Sequence, residues 1–227
     1  DRAVNNSVYS CGVAALAKLK AGDVKFVDRN GDGVISTGAN TVGKPVDRYI
    51  IGNSLPRYTY SFRGDIDWYG FNLSVFFQGV GHCDWMPPTK CSYFWSLYGF
   101  PASSFVPTDF ESKTWTEDRR NAYFPRRRGY TTYSGSALGV NTDRYLQNAA
   151  YIRLKNITLG YTLPIKQNKA VEKVRIYATG ENLWYWSPMK RHSKYIDPEV
   201  ATASSNQDAD CIYPFSRTVS LGIDITF

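Results

Sequence analysis

The residues best suited to chemistry are few, and none assembles a catalytic constellation. Asp28-Arg29-Asn30-Gly31-Asp32-Gly33 sets oxygen-bearing side chains at alternate positions, Asp28, Asn30 and Asp32, with glycine where the chain must turn. Hard oxygen donors at this spacing open a Ca2+ loop. Ile35 fills the usual apolar slot, but the twelfth loop position is Ala39 instead of a bidentate Glu. The same run also reads as an Asx/Gly-rich turn that needs no ion. For Ca2+, Asp23 or another nearby oxygen would have to complete the shell.

Other reactive side chains are scattered. Arg119, Arg120, Arg126, Arg127 and Arg128, interleaved with Tyr123, Phe124 and Tyr130, form a basic, aromatic run. Such a run can meet nucleic acid, but in a long loop it fits lipopolysaccharide phosphates, an acidic protein surface or plain solvation better. No nucleic-acid partner is expected. Trp85, Trp95 and Tyr98, near Tyr93 and Phe94, offer ring faces for a sugar or a partner protein, or a core for their own loop. His82 and His192 lie far apart, and no metal-ligand spacing surrounds either. Cys11, Cys83, Cys91 and Cys211 include no C-x-x-C pair; Cys83 and Cys91 could bridge in an oxidising compartment. No nucleophile elbow, P-loop or dinucleotide fingerprint occurs, so no enzyme is expected.

The elements that carry these residues are strands. From Phe227 backward, Ile225, Ile223, Leu221 and Val219 alternate with Thr226, Asp224, Gly222, Ser220 and Thr218. Successive strand side chains point to opposite faces, so one face is apolar and the other small and polar. Tyr58, Tyr60, Phe62, Ile66 and Trp68 alternate in the same way with Thr59, Ser61, Arg63, Asp65 and Asp67. After a tight Tyr69-Gly70 turn the pattern resumes over Phe71 to Gln78, with Phe76 out of phase. Further strands are predicted from Asn156 to Pro164 and from Val174 toward Trp186. Each is close to the ~9–11 residues that a tilted strand needs to cross a bilayer.

Connection lengths sort the strands further. The Tyr69-Gly70 turn and the link from Pro164 to Lys173 are short; the stretches at about 80–150 and 187–213 are long. Short turns on one side and long loops on the other characterise outer-membrane barrels, and a loop of about seventy residues argues against a compact soluble domain. Aromatics sit where girdles would fall: Trp68, Tyr69, Phe71 and Phe227 at one interface, and Trp184, Tyr185 and Trp186 at the other. Mean hydropathy is −0.38 and the net charge is +7. No run approaches the ~18–20 apolar residues of a spanning helix.

The expected fold is all-β: an antiparallel transmembrane β-barrel segment of about five strands with long extracellular loops. Residues 1–56 are expected to be an extracellular loop region with the Asp/Gly-rich turn, and 57–227 the barrel strands. Five strands leave two open edges, so more chain must complete the barrel. Asp1 to Ser7 reads as loop, which places that chain upstream. Arg63, Asp65, Asp67, Arg175, Glu181 and Asp224 fall on the polar, lumen-facing set. Phe227, with Ile225 and Ile223, forms a terminal strand of the kind that barrel-assembly machinery reads.

Several blocks resemble the C-terminal region of the SusC/RagA family of TonB-dependent transporters. They include Ala21 to Asp28 leading into Asn30-Gly31-Asp32-Gly33, Ile51-Gly52-Asn53, Pro56-Arg57-Tyr58 and Phe77-Gln78-Gly79. Tyr151-Ile152-Arg153-Leu154-Lys155-Asn156 continuing to Tyr161 is the most specific, together with the terminal strand. Arg175-Ile176-Tyr177, Glu181-Asn182-Leu183, Asp197-Pro198-Glu199 and Tyr213-Pro214 complete the likeness. The resemblance implies that these are the last strands of a barrel of about 22 strands with a plugged lumen. It also implies an outer-membrane location, energy supplied through the TonB complex by an N-terminal region absent here, and a SusD-like surface lipoprotein as lid. Glycans or peptides would be the cargo, with the rest of the barrel and plug, lipid and lipopolysaccharide as further contacts. The competing readings are a secreted Ca2+- and glycan-binding β-sandwich, which a high-salt wash would release, and a passive porin, whose uptake would need no energy.

Overall fold

The computed structural model describes residues 21–36, 38–39, 41, 43–44, 46–89, 91–99, 105–127, 138, 140–165, 171–203 and 215–227. Expectations placed on Asp1 to Ser7, Cys11, Arg128, Tyr130, Cys211, Tyr213 and Pro214 lie outside these residues. The chain divides into two compact units. One comprises Asp1–Gly52, Met86–Leu146 and Ser205–Ile212; the other comprises Asn53–Trp85, Gln147–Ser204 and Tyr213–Phe227. The long insert after Trp85 thus groups with the N-terminal residues.

The second unit is built on a five-stranded sheet. The described strands are β1 (Thr59–Trp68), β2 (Phe71–Val80), β3 (Asp84–Trp85), β4 (Gln147–Asn148), β5 (Tyr151–Thr162), β6 (Lys173–Trp186) and β7 (Thr218–Thr226). The main sheet runs β1-β2-β5-β6-β7, with every neighbouring pair antiparallel, while β3 and β4 form a two-residue ribbon. β1 and β2 meet at a turn in which Tyr69 (φ 45°) and Gly70 (φ 86°) are both left-handed. That combination is the primed turn whose twist matches a tight hairpin.

β5 begins at Tyr151, five positions ahead of the predicted start. The reason is a bulge. Phe76 pairs with Asn156 and Phe77 with Leu154, so Lys155 has no opposite number on β2. A bulged residue shifts the alternation by one place. Ile152 and Leu154 therefore share a face with Ile157 and Leu159, although their sequence parity differs. On β6 the compensating irregularity falls between Glu181 and Trp184, where Asn182 has φ 52°.

Register fixes the two faces. Trp68, Phe71, Tyr161, Ile176 and Ile223 form one continuous cross-strand line, and Ile66, Leu73, Leu159, Ala178 and Leu221 form the next. Much of this apolar face is open: Leu221 is 82% and Ile223 63% exposed. An apolar surface this continuous marks a lipid or protein contact. Phe76 remains the exception on the other face, opposite Arg63 and Asn156.

The first unit has a core of rings. Phe94 and Trp95 come from a short helix at Ser92–Trp95, Tyr98 from the 3-10 turn that follows, and Phe110 from Phe110–Lys113. Phe124 and Tyr145 complete the cluster, with centroid separations of 5.6 Å for Phe94–Phe124 and 5.0 Å for Trp95–Tyr145. Edge-to-face packing of this kind adds to the area that rings bury. The low-dielectric surroundings push the Tyr145 phenol well above its ordinary range.

Candidate functional site

All six predicted lumen residues lie on the polar face of the sheet. Arg63, Asp65 and Asp67 face Phe76, Ser74 and Asn72, while Arg175 faces Asp224 and Glu181 faces Thr218. They do not act as one group. Arg63 Nε donates to Asp65 at 2.9 Å along the same strand, and both side chains are at least half exposed, so this pair contributes little. Arg175 is the connected one. Its guanidinium reaches Asp224 on β7 at 3.3 Å and donates to the Asn72 side-chain oxygen on β2 at 2.6 Å. To do so it crosses β5 above Gly160, where an added side chain would collide with both groups. At mid-sheet the Thr158 and Thr179 hydroxyls share a hydrogen bond at 3.1 Å.

Sequence reasoning missed a buried, multiply paired polar group. Arg153 lies on the polar face, opposite Gln78 and Tyr185, yet is only 1% exposed. Its Nη2 donates to Asp197 at 2.5 Å and its Nε lies 3.1 Å from Glu199. Lys155 Nζ takes the other Glu199 oxygen at 2.7 Å. The Tyr185 and Phe215 rings flank the guanidinium at 4.8 and 4.9 Å. Asp197 also caps the helix Pro198–Ala203, accepting from the Glu199 N–H at 3.0 Å. Two quoted sequence blocks, Tyr151 to Asn156 and Asp197-Pro198-Glu199, are thus one ion cluster. The 3-10 turn Pro188–Arg191 lies between them in the chain, and there Lys190 Nζ sits 3.5 Å from the Tyr185 ring. Burial, then the cations Arg217 and Arg153, hold the Lys190 ammonium below the usual lysine range.

Several expectations change. Trp95 and Tyr98 are 0% and 2% exposed and Trp85 is buried as well, so none presents a ring to a substrate or lid. They serve their own cores, because large rings clustered within one loop gain more from packing together than from solvent. Tyr185 leaves the expected girdle: Trp184 and Trp186 stay on the apolar face, while Tyr185 turns to Arg153. No Cys83–Cys91 bridge forms. Cys83 is a free, buried thiol whose Sγ donates to the Ser54 carbonyl at 3.1 Å. Within the basic run Arg126 pairs with Asp23 at 2.7 Å, while Arg119 and Arg127 reach Glu111 at the exposed surface.

The Asp/Gly-rich turn closes on itself. Asp28 accepts from the Gly31 and Gly33 N–H groups at 2.7 and 2.8 Å, and Asp32 accepts from Val34 at 2.7 Å. Asn30 accepts from Asp32 at 3.1 Å. These Asx turns account for the loop shape. Among the described residues no three His, Cys, Asp or Glu groups gather as a metal cluster.

Ile225 and Ile223 lie on the apolar face, and Phe227, just past the strand, is 85% exposed. No described helix is long and apolar enough to cross a membrane. An antiparallel meander with one open apolar face, one polar face and few helices has the wall architecture of TonB-dependent receptor barrels. The likeness to the solved RagAB peptide transporter carries this: TM-score 0.53 at 24% identity, over 78% of this chain and 18% of that one. The RagAB peptide importer in its closed-closed state gives 0.51 at 23%.

The chain is 27% identical over 220 residues to TonB-dependent receptor P26 of Formosa agariphila, covering 91% of this chain and 20% of the relative. It is 26% identical over 211 residues to TonB-dependent receptor SusC of Bacteroides thetaiotaomicron, covering 89% and 17%. No family model matches. The chain is a homologue of TonB-dependent receptors, SusC among them, and spans about a fifth of their length. These relatives are transporters of the outer membrane and not enzymes.

Proposed function

We propose that the chain forms the last five strands of a plugged, 22-stranded outer-membrane barrel of the kind described for the largest transporters. The complete receptor imports glycans or peptides, draws energy through TonB and works with a SusD-like surface lipoprotein. The observation that supports this most directly is the division of one sheet into an open apolar face and a polar face. In hydrocarbon the apolar face is the favourable surface, and the unpaired edges of β1 and β7 demand further strands because orphan backbone groups there cost several kcal/mol each. The polar face then lines the passage, with Arg175, Asn72 and Asp224 at the end near the Tyr69-Gly70 turn. The loops at about 80–150 and 187–213 face the exterior, where lipopolysaccharide and the lid lie. A Ca2+ ion at Asp28, Asn30 and Asp32 remains secondary, because the loop's own hydrogen bonds already use those oxygens.

The test uses cells carrying the whole receptor and its lipoprotein, with labelled oligosaccharides and peptides. Uptake is expected to stop when the proton gradient is collapsed, and the receptor is expected to leave membranes only in detergent. Uptake that survives uncoupling would favour a passive porin. Release by salt alone would favour a secreted β-module.

A further inference from the structure

Within the second unit, the segment after β6 lies over the polar face at the end remote from the Tyr69-Gly70 turn. Arg153 and Tyr151 of that face are 1% and 4% exposed. One polar row further on, where Asn156 faces Glu181 and Glu181 faces Thr218, Glu181 and Thr218 are exposed again. The cover is therefore confined to the outermost rows. It is made by residues 187–203, through Asp197 and Glu199, and by the chain returning at Phe215. One guanidinium thus ties both ends of the β6–β7 connection to β5.

The segment is held along its length. Ser187 Oγ accepts from the Met189 N–H at 3.2 Å and opens the 3-10 turn. Lys190 Nζ donates to the Tyr185 carbonyl at 2.7 Å, so this cation anchors the turn to β6. The Ser193 N–H donates to the Met189 carbonyl at 2.9 Å, Ile196 to Ser193 at 3.1 Å, and Ala201 to Asp197 at 2.9 Å. Met189, Ile196 and Ala201 are buried, which gives the segment an apolar core of its own. Arg153 then closes the structure, with Asp197 on one side and Glu199, shared with Lys155, on the other. Removing one member of a buried ion pair leaves an uncompensated charge and is strongly destabilising, whereas exposed pairs matter little. The buried clamp is therefore what keeps the segment on the wall.

Resting on the barrel reading above, we infer that residues 187–203 form a fixed constriction at the outer end of the passage, with Arg153 as its positioning residue. A chain laid over the lumen-facing side occupies cross-section that the strands alone would leave open. Segments that open readily have few buried contacts and exposed backbone bonds; this one has a buried clamp and a buried core. It therefore sets an upper size on what passes and does not open and close with each cargo. Arg153 touches no cargo in this role and acts only by holding the segment.

The experiment uses the full-length receptor carrying Thr218→Cys, in cells that lack its lipoprotein. Two probes are added from outside: a small maleimide and a maleimide on a long polyethylene-glycol chain. Each receptor is compared with its counterpart that keeps Thr218. The small probe is expected to label the parent cysteine and the long one to label it at least about ten-fold less, since access limits thiol reaction. Arg153→Met is expected to bring the two probes together, and Arg153→Lys to restore part of the difference. Hydrogen exchange of the purified receptor reads the clamp directly. Peptides within residues 187–203 should exchange about ten-fold faster in Arg153→Met, while those of β5 and β6 hold. A segment that exchanges as in the parent overturns the clamp. A released segment that still excludes the long probe overturns the constriction. So does a parent that both probes label equally, or one that the small probe fails to label, because something other than this segment then closes the passage. Should Arg153→Met fail to fold, Asp197→Asn with Glu199→Gln frees the same segment and is read in the same way. A parent receptor that is not heat-modifiable fails the barrel reading itself, which is a separate result.

Discussion

Arg175 of β6 and Asn72 of β2 are joined by a 2.6 Å hydrogen bond that bridges an entire intervening strand. The bond exists because β5 offers Gly160 at the crossing. A Cβ there would overlap the Asn72 side chain and stand 2.8 Å from Arg175 Nε. Gly160→Ala is therefore expected to destabilise the barrel by about 1–3 kcal/mol, the usual cost of overpacking. In Asn72→Ala the same substitution should cost less, since one of the two obstructing groups is gone. The midpoint of heat-induced band shift of the full-length receptor, measured for both singles and the double, checks this. Strict additivity would mean that the crossing is not what Gly160 protects.

A second prediction concerns the faces. Leu159 and Thr158 are neighbours in β5 but belong to opposite faces by register. Arginine on a lipid face near mid-bilayer costs about 2–4 kcal/mol, whereas lumen positions tolerate charge. Leu159→Arg should sharply lower the amount of folded receptor in outer membranes, and Thr158→Arg should leave it near normal. Immunoblots of unheated membranes read the difference; equal loss in both variants would remove the face assignment.

The terminal and hairpin strands were legible because their alternation is unbroken from Thr59 to Trp68 and from Thr218 to Thr226. β5 was half legible. Its first residues alternate out of phase with its last ones, and only pairing with β2 reveals that Lys155 absorbs the slip. That Arg63, Asp65, Asp67, Arg175, Glu181 and Asp224 share the polar face was readable for the same reason that the strands were. Arg153 was not, since its partners Asp197 and Glu199 are separated from it by a strand pair and a loop, and no local period links them. In the sequence, the block containing Arg153 carries only its likeness to a family. Trp95 and Tyr98 misled in the opposite way: aromatic density signals both a binding platform and a core, and burial alone separates them.

Cys83 provides a test that needs no substrate. Burial, and then the neighbouring Asp84 carboxylate, push its thiol above the ordinary range. The thiolate is the reactive form, so labelling at neutral pH should be slow and should rise as pH climbs past the normal thiol range. Iodoacetamide on the folded receptor, followed by peptide mass analysis, is expected to leave the Cys83 peptide unmodified at pH 7 and to modify it after denaturation. Reduction beforehand should change nothing at this residue. Rapid labelling of the native protein at pH 7 would contradict the buried, hydrogen-bonded thiol.

The ring cluster of the first unit yields the last prediction. Trp95 is fully buried against Phe94 and Tyr145, and its indole N–H donates to the Pro88 carbonyl at 2.9 Å. Trp95→Ala removes both the rings' shared edge contacts and a satisfied donor, and leaves a cavity that a cluster of rigid rings cannot collapse into. Truncations of this kind cost about 3–5 kcal/mol. Tyr93 sits one helix position from Phe94 but is partly exposed, packing on Phe105 at 5.2 Å, so Tyr93→Ala should cost far less. Chymotrypsin discriminates them, because its preferred residues Phe94, Tyr98 and Phe110 are buried in the parent. Cleavage at these sites should appear in Trp95→Ala, with the barrel still heat-modifiable, and stay absent in Tyr93→Ala. Protection that persists in Trp95→Ala would mean that the insert is held by contacts other than its ring core.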